Sequence, residues 1–256
     1  MESNQSNAAA VRAFRVLEVV AQHGDGCALA AIVEAVGLPK QTVHRLVGQL
    51  QLAGLVVREP GTRRVQLASR VERFAQAALM NGPARAERHA ILAALVEEIG
   101  ETCNIAALAG TDIVYLDRVE TSWPLRMLLA PGSHVPLHAS ASGKLLLALL
   151  PRPQRDRLLA HLTLRGYTEH TLVDRRVLER DLEATRARRV GINREEHLQG
   201  MYGIAVPVML DRRRACAAVA LQAPAGRATI EGLMGHVPKL EAAAGRIART
   251  FGPRAA

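Results

Sequence analysis

The segment LPKQTVHRLVGQLQLAGLV, residues 38–56, constrains the fold more than any other part of the chain. Its apolar residues recur at three- and four-residue spacing, which places them on one face of a helix: Val43, Leu46, Val47 and Leu50. Pro39 suits a first helical position, and Gly54 suits the residue that follows a helix. The segment therefore predicts a helix that buries one face and exposes a polar one.

The sequence on either side predicts a small DNA-binding-type domain. An amphipathic helix over residues 9–22 ends at Gly24 and Gly26, and a second, short helix over 29–36 is closed by Gly37. After the third helix, LVVREPGTRRVQL predicts two short strands around the turn dipeptide Pro60-Gly61. Two short helices joined by a tight turn and followed by a basic hairpin form the outline of a winged helix-turn-helix.

The polar side chains of this domain suit double-stranded DNA. In the third helix, Arg45 can donate to guanine and Gln41 to adenine in the major groove. The arginines of the hairpin would meet phosphates or the minor groove. The predicted DNA-binding residues are Lys40, Gln41, Thr42, His44, Arg45, Arg58, Arg63 and Arg64. The alternative is a solvated helix face on a protein–protein module.

Composition supports an anionic partner without locating it. The formal net charge is +9, and it is spread over both halves of the chain. No signal peptide and no apolar run of about 20 residues is present, so we expect a cytoplasmic protein that does not enter membranes. The single cysteines Cys27, Cys103 and Cys216 show neither metal-type pairing nor a disulfide framework.

The rest of the chain predicts a second domain of α+β class. A linker helix, SRVERFAQAALM, is broken at Asn81-Gly82-Pro83, and an amphipathic helix over 85–99 follows. Strands are predicted at TCNIAALAG, DIVYLDRVET, PLRMLLAPG, GINREEHLQGM, GIAVPVML and ACAAVALQA, with a final helix over 229–250. Hairpin strands with inserted helices indicate an antiparallel sheet. The predicted division is a disordered tail (1–8), a winged helix-turn-helix (9–68), a linker helix (69–82) and a sensor-like domain (83–252).

The stretch HVPLHASASGKLLLALL, residues 134–150, could suggest a phosphate-binding or catalytic motif, but it lacks the residues that such motifs require. A phosphate-binding loop needs glycine where His138 stands and a hydroxyl residue where Leu145 stands. A Ser-x-x-Lys nucleophile needs serine at Ala141. His134, His138 and His197 with Glu195 or Glu196 lack metal-site spacing, and adjacent strand glutamates point to opposite faces. No enzyme, metal or cofactor is predicted.

What remains is a helix start rich in small residues, Ala139–Gly143. Such a terminus presents unpaired N–H groups and a positive dipole end to a small anion, for example a carboxylate. The alternative is that Ser140 only caps the helix and Gly143 only permits close packing. Within this stretch, the Gly143-Lys144 dipeptide is the least informative part.

In order along the chain, LPKQTVHRLVGQL, HASASGKLLLA, GYTEHT, EEHLQG, IAVPV and CAAVALQAP resemble the IclR family of bacterial transcriptional regulators over residues 10–250. The resemblance implies a DNA-binding domain joined to a GAF-like effector-binding domain, in a homodimer or dimer of dimers that binds a palindromic operator. It also implies an effector lying between the sheet and the helix of HASASGK. The implied effector-binding positions are Met127, Ala141, Ser142, Asn193, Gly203, Ala220 and Gln222.

Three departures bear on the effector. Where glyoxylate- and pyruvate-responsive members have an acidic residue, a cysteine and paired serines, this chain has Asn193, Gly203, and Ala220 with Gln222. We therefore expect a bulkier or less polar effector, an aromatic or medium-sized organic acid. Two other functions remain open: an enzyme that uses the C-terminal pocket with the winged helix as an interaction module, and an architectural DNA binder without a ligand.

Overall fold

The computed structural model describes residues 9–23, 26–59, 61–123, 129–212 and 214–251. The chain divides into two compact units between Ala77 and Ala78. Several sequence predictions lie outside the described residues: the tail 1–8, the helix-ending Gly24, the turn residue Pro60, and Met127.

The N-terminal unit has the predicted order of elements. They are α1 (Ala9–Ala21), α2 (Leu29–Val36), α3 (Lys40–Leu52), β1 (Val56–Arg58), β2 (Val65–Leu67) and the start of α4 (Ser69–Asn81). Strands β1 and β2 pair antiparallel, and Cys27 bridges to Val65, which ties the loop before α2 to the hairpin. Gly37 has φ 69°, a left-handed conformation that glycine adopts without a steric penalty. The winged helix-turn-helix prediction is confirmed.

The C-terminal unit is built on one six-stranded sheet. Its elements are α5 (Arg85–Ile99), β3 (Thr102–Ala109), β4 (Asp112–Val119), β5 (His134–Pro136), α6 (Ala141–Leu149), α7 (Arg152–His161), α8 (Arg175–Arg188), β6 (Gly191–Arg194), β7 (Met201–Met209), β8 (Ala215–Pro224), α9 (Ile230–Met234) and α10 (Val237–Arg249). The strand order is β5-β4-β3-β8-β7-β6, and every neighbouring pair is antiparallel. This confirms the α+β class.

The two faces of the sheet bury different cores. On one face, α5 and α10 pack Leu92 and Leu240 against strand residues such as Ile105 and Val206. On the other face, α6 and α8 pack over small strand residues such as Ala218, with Leu145 at the centre. The second face carries the candidate effector positions of β6, β7 and β8.

Three predicted elements differ from the structure. The final helix is two helices, α9 and α10, because Pro238 in the first turn of α10 lacks the N–H that a continuous helix needs. GINREEHLQGM is not one strand: residues 191–194 form β6, Glu195 has φ 60° and opens a turn, and Met201 begins β7. The predicted strand at PLRMLLAPG falls partly on 124–128, outside the described residues, and its remainder is irregular. Among the described helices, none is long and apolar enough to cross a membrane.

Candidate DNA-binding and effector sites

Helix α3 exposes the polar face that the sequence predicts. Its apolar residues Val43, Leu46, Val47 and Leu50 are buried in the core of the unit. Lys40, Gln41, His44 and Arg45 are exposed, and Thr42 is half-buried. The helix therefore offers a cluster of hydrogen-bond donors at its N-terminal half, as major-groove recognition requires.

The arginines of the hairpin are less uniform. Arg63 and Arg64 are exposed, and the Nη1 of Arg64 donates to the carbonyl of Gly26 at 3.4 Å. Arg58 is half-buried, and its Nε is buried with no hydrogen-bond partner among the described residues. Arg63 adopts φ 56°, which turns the chain back into β2. The hairpin of β1 and β2, which is the wing of this domain, thus presents two exposed guanidinium groups.

The start of α6 is packed tightly onto the sheet. A side chain at Gly191 on β6 would collide with the carbonyl of Ala141, the first residue of α6. Ser140 caps the helix, accepting from the Gly143 N–H at 3.2 Å and donating to the Pro136 carbonyl at 2.8 Å. A Cβ at Gly143 would collide with the Leu137 carbonyl. Ser140 and Gly143 therefore act in capping and close packing, the alternative left open by the sequence.

The structure brings four of the predicted effector positions together on neighbouring strands. Asn193, Gly203 and Gln222 face one another across β6, β7 and β8, and Ala220 lies two residues from Gln222 on the same face. Ala141 belongs to the same apolar cluster as Ala220, and Ser142 is buried beside it in α6. The Oδ1 of Asn193 accepts from the Glu196 N–H at 2.8 Å, which closes the turn after β6.

Gln222 is part of a buried polar network that the sequence did not predict. Its Oε1 accepts from the Nη1 of Arg118 at 2.9 Å, and its Nε2 donates to the Tyr115 hydroxyl at 2.9 Å. The Arg118 side chain is only 2% exposed, and its Nε lies 3.5 Å from Glu120. Burial raises the pKa of the Tyr115 phenol, although Gln222 and Arg118 oppose that effect. The network places a buried cation on the sheet face below α6.

A β-bulge explains why Arg118 joins this network. Ile105 pairs with Asp117 and Ala106 with Tyr115, so β4 carries one extra residue, Leu116, opposite β3. Simple alternation along DIVYLDRVET would put Tyr115 and Asp117 on one face and Arg118 on the other. The bulge reverses that assignment from Asp117 onward. No sequence signal for the bulge is present in the strand itself.

A second missed feature lies inside α6. The Lys144 side chain is 1% exposed, and its Nζ lies 2.6 Å from Glu196 Oε1 and 3.1 Å from Asp181 Oδ2 on α8. Burial raises the pKa of the Glu196 carboxyl, and Lys144 acts in the opposite direction. From sequence alone, Lys144 indicates no particular role and Glu195-Glu196 are predicted to be strand residues. Both interpretations are wrong: Lys144 fastens α6 to α8 and to the turn after β6.

The described residues show no cluster of three or more His, Cys, Asp or Glu side chains that could hold a metal ion. His138 donates from Nε2 to the Arg165 carbonyl at 2.9 Å, and its ring centroid lies 5.9 Å from that of Tyr167. His197 contacts the same tyrosine edge-on. These histidines are held by carbonyl and ring contacts.

Comparison with known proteins agrees with this architecture. The family described as "IclR helix-turn-helix domain" matches residues 9–60, and "Bacterial transcriptional regulator IclR C-terminal" matches residues 76–249. The chain is 55% identical to "Probable transcriptional regulator SauR" of Cupriavidus necator, over 97% of this chain and 99% of that protein.

Solved structures give the same result. The Thermotoga maritima IclR structure aligns with TM-score 0.64 and 25% identity, covering 94% of this chain and 97% of that chain. The inducer binding domain of a PobR double mutant from Acinetobacter, in complex with 3-hydroxybenzoic acid, aligns with TM-score 0.57 and 26% identity, covering 62% and 94%. The matched families and relatives are transcriptional regulators and not enzymes. The chain belongs to the IclR family of bacterial transcriptional regulators.

Proposed function

We propose that this regulator binds a palindromic DNA operator and that a small organic acid, bound in the C-terminal unit, changes its operator affinity. The observation that carries the effector assignment is the buried Arg118–Gln222–Tyr115 network on the sheet face below α6. A buried guanidinium is costly to maintain in an aliphatic core even when it is paired, as Arg118 is with Glu120. An anionic ligand on the same face gives that cation a function.

On the DNA side, we assign base contacts to α3 and phosphate contacts to the wing. Lys40, Gln41, Thr42, His44 and Arg45 would face the major groove, because they occupy the N-terminal half of a helix whose other face is buried. Arg58, Arg63 and Arg64 would contact phosphates.

On the effector side, we propose an aromatic or medium-sized acid. Gly203 and Ala220 have little or no side chain, so they occupy less of this sheet face than the cysteine and serine of the glyoxylate- and pyruvate-responsive members would. The PobR relative is seen with 3-hydroxybenzoic acid, an acid of that size. Ala141, Ser142, Asn193, Gly203, Ala220 and Gln222 are the proposed contact residues, together with Met127, which lies outside the described residues.

We propose a homodimer or a dimer of dimers as the active form, since a two-fold protein matches a palindromic site. Two of the three phenylalanines are exposed, Phe14 on α1 by 58% and Phe74 on α4 by 70%. Exposed aromatic side chains of this size favour burial against a second copy. Light scattering coupled to size-exclusion chromatography should give at least twice the monomer mass, and Phe74→Ser should reduce it. A monomeric wild-type protein would contradict the assignment.

The test of the whole proposal is a mobility shift on the DNA that flanks the protein's own gene, at two salt concentrations and with a panel of organic acids. The affinity should fall steeply with salt, because phosphate contacts release counterions. At least one acid should change the affinity, by no more than its differential affinity for the two states of the protein. Binding that no acid alters would contradict the effector assignment and favour an architectural DNA binder.

A further inference from the structure

The side chain of Asn104 is a buried amide with no hydrogen-bond partner among the described residues. It lies on β3, its relative exposure is 0%, and neither Oδ1 nor Nδ2 has a partner among the described residues. Leaving buried polar groups unpaired costs about 1–3 kcal/mol, and native proteins rarely do so without a reason. An asparagine in this state favours a hydrogen-bonding partner that the described residues do not supply.

The surroundings of Asn104 identify the kind of partner. Across the sheet, Asn104 pairs directly with Arg118 on β4 and with Ala220 on β8, so all three share the face below α6. The Arg118 guanidinium reaches over β3 to Gln222 on β8, which brings it beside the Asn104 amide. Ala220 on the other side carries only a methyl group. The amide therefore lies between a positive charge and a short side chain on the face below α6.

We propose that Asn104 determines effector specificity, and that the effector is an organic acid with a hydroxyl group either on the carbon that carries its carboxylate or on the neighbouring carbon. This inference rests on the proposed function and deepens it. The carboxylate accepts from Asn104 Nδ2 beside the Arg118 guanidinium, and the hydroxyl donates to Asn104 Oδ1. Arg118 contributes charge and keeps its bond to Gln222.

The donor and acceptor of the amide set the hydroxyl position. Both atoms of a carboxamide are bonded to the same carbon, so the groups that meet them must also lie close together on the ligand. A carboxylate alone only accepts hydrogen bonds and would leave Oδ1 unpaired. A site that is built to bind a hydroxyl group discriminates strongly against the analogue without it, because its own polar atom is then buried and unsatisfied.

Calorimetry on the full chain with three matched pairs of acids tests this directly: mandelate and phenylacetate, lactate and propionate, salicylate and benzoate. In at least one pair the hydroxylated acid should bind tenfold tighter or more, and Asn104→Leu should abolish that preference. Binding of either kind without a preference, or a preference that survives in Asn104→Leu, overturns the inference and leaves the proposed function standing. If none of the six acids binds, both are contradicted.

Thermal unfolding of the ligand-free protein provides a second readout. Because Asn104→Leu removes an unsatisfied amide and keeps the branched shape of the side chain, the melting temperature should stay the same or rise. Thr121→Val is the matched control, since the buried Thr121 hydroxyl donates to the Gly100 carbonyl at 2.7 Å. That variant should melt lower and keep the preference for hydroxylated acids. A drop for Asn104→Leu as large as that for Thr121→Val would show that Asn104 has a purely structural role.

Discussion

Replacing Lys144 by methionine removes the cation that holds α6 in place. The substitution keeps most of the side-chain volume, but it leaves Glu196 buried and facing Asp181 without the ammonium that now lies 2.6 Å and 3.1 Å from them. Removing one partner of a buried ion pair typically costs about 3–5 kcal/mol. Asp181 keeps a contact to Arg188 at 3.8 Å, so the uncompensated charge is mainly that of Glu196.

The cost should depend on pH in a defined direction. Burial raises the pKa of Glu196 above its ordinary 4.5, so its contribution to folding is fully present below pH 4.5 and is lost as the pH rises through the folded-state pKa. Lys144 lowers that pKa, and Lys144→Met removes this effect. The destabilisation should therefore grow between pH 5 and pH 8. Adding Glu196→Gln should recover at least about 1 kcal/mol relative to the sum of the two single costs.

Urea unfolding followed by tryptophan fluorescence measures these quantities. Trp123 is the only tryptophan of the chain and lies in the C-terminal unit, so its signal reports that unit alone. Lys239→Met is the control, because Lys239 and Glu98 form an exposed pair at 3.1 Å that should contribute no more than about 1 kcal/mol. If Lys144→Met unfolds at the same urea concentration as Lys239→Met, or if the single costs simply add, the buried pair does not hold α6.

Two further predictions concern the same unit. Gly143→Ala should destabilise it by about 1–3 kcal/mol in the same urea assay, because the new methyl group has no room against the Leu137 carbonyl, whereas Gly245→Ala in α10, where a Cβ meets nothing within 4 Å, should not. Burial raises the pKa of Cys103 to about 12 and that of Cys216 to about 11, so a thiol reagent at pH 8 should label both slowly in the native protein and rapidly in urea. Equal rates in the two conditions would contradict the burial of these thiols.

Local features of the sequence predict most of the fold. The helical periodicity of α3, the glycine after α2 and the hairpin alternation act within a few residues, and the structure confirms each of them. The failed interpretations of Lys144 and Glu196 depend on distant parts of the chain. Lys144 and Glu196 are 52 residues apart, and nothing near either residue indicates the other.

The candidate effector site also depends on contacts between residues that are distant in sequence. The positions on β6, β7 and β8 that the family resemblance implies share one sheet face. The sequence does not predict the position of Arg118, because one extra residue in β4 moves it to that face. The bulge depends on how β4 pairs with β3. The sequence does not predict a role for Asn104, because an unpaired side chain can be identified only when the positions of its neighbours are known.

The most direct test of the account is the operator affinity of Arg45→Ala beside that of Arg15→Ala, measured by fluorescence anisotropy on the DNA flanking the gene. Both residues are exposed arginines of the N-terminal unit, but only Arg45 lies on the exposed face of α3. We expect a loss of about 1–3 kcal/mol for Arg45→Ala and a change within about 0.5 kcal/mol for Arg15→Ala. Equal affinities of Arg45→Ala and wild type would contradict the assignment of α3 as the recognition helix.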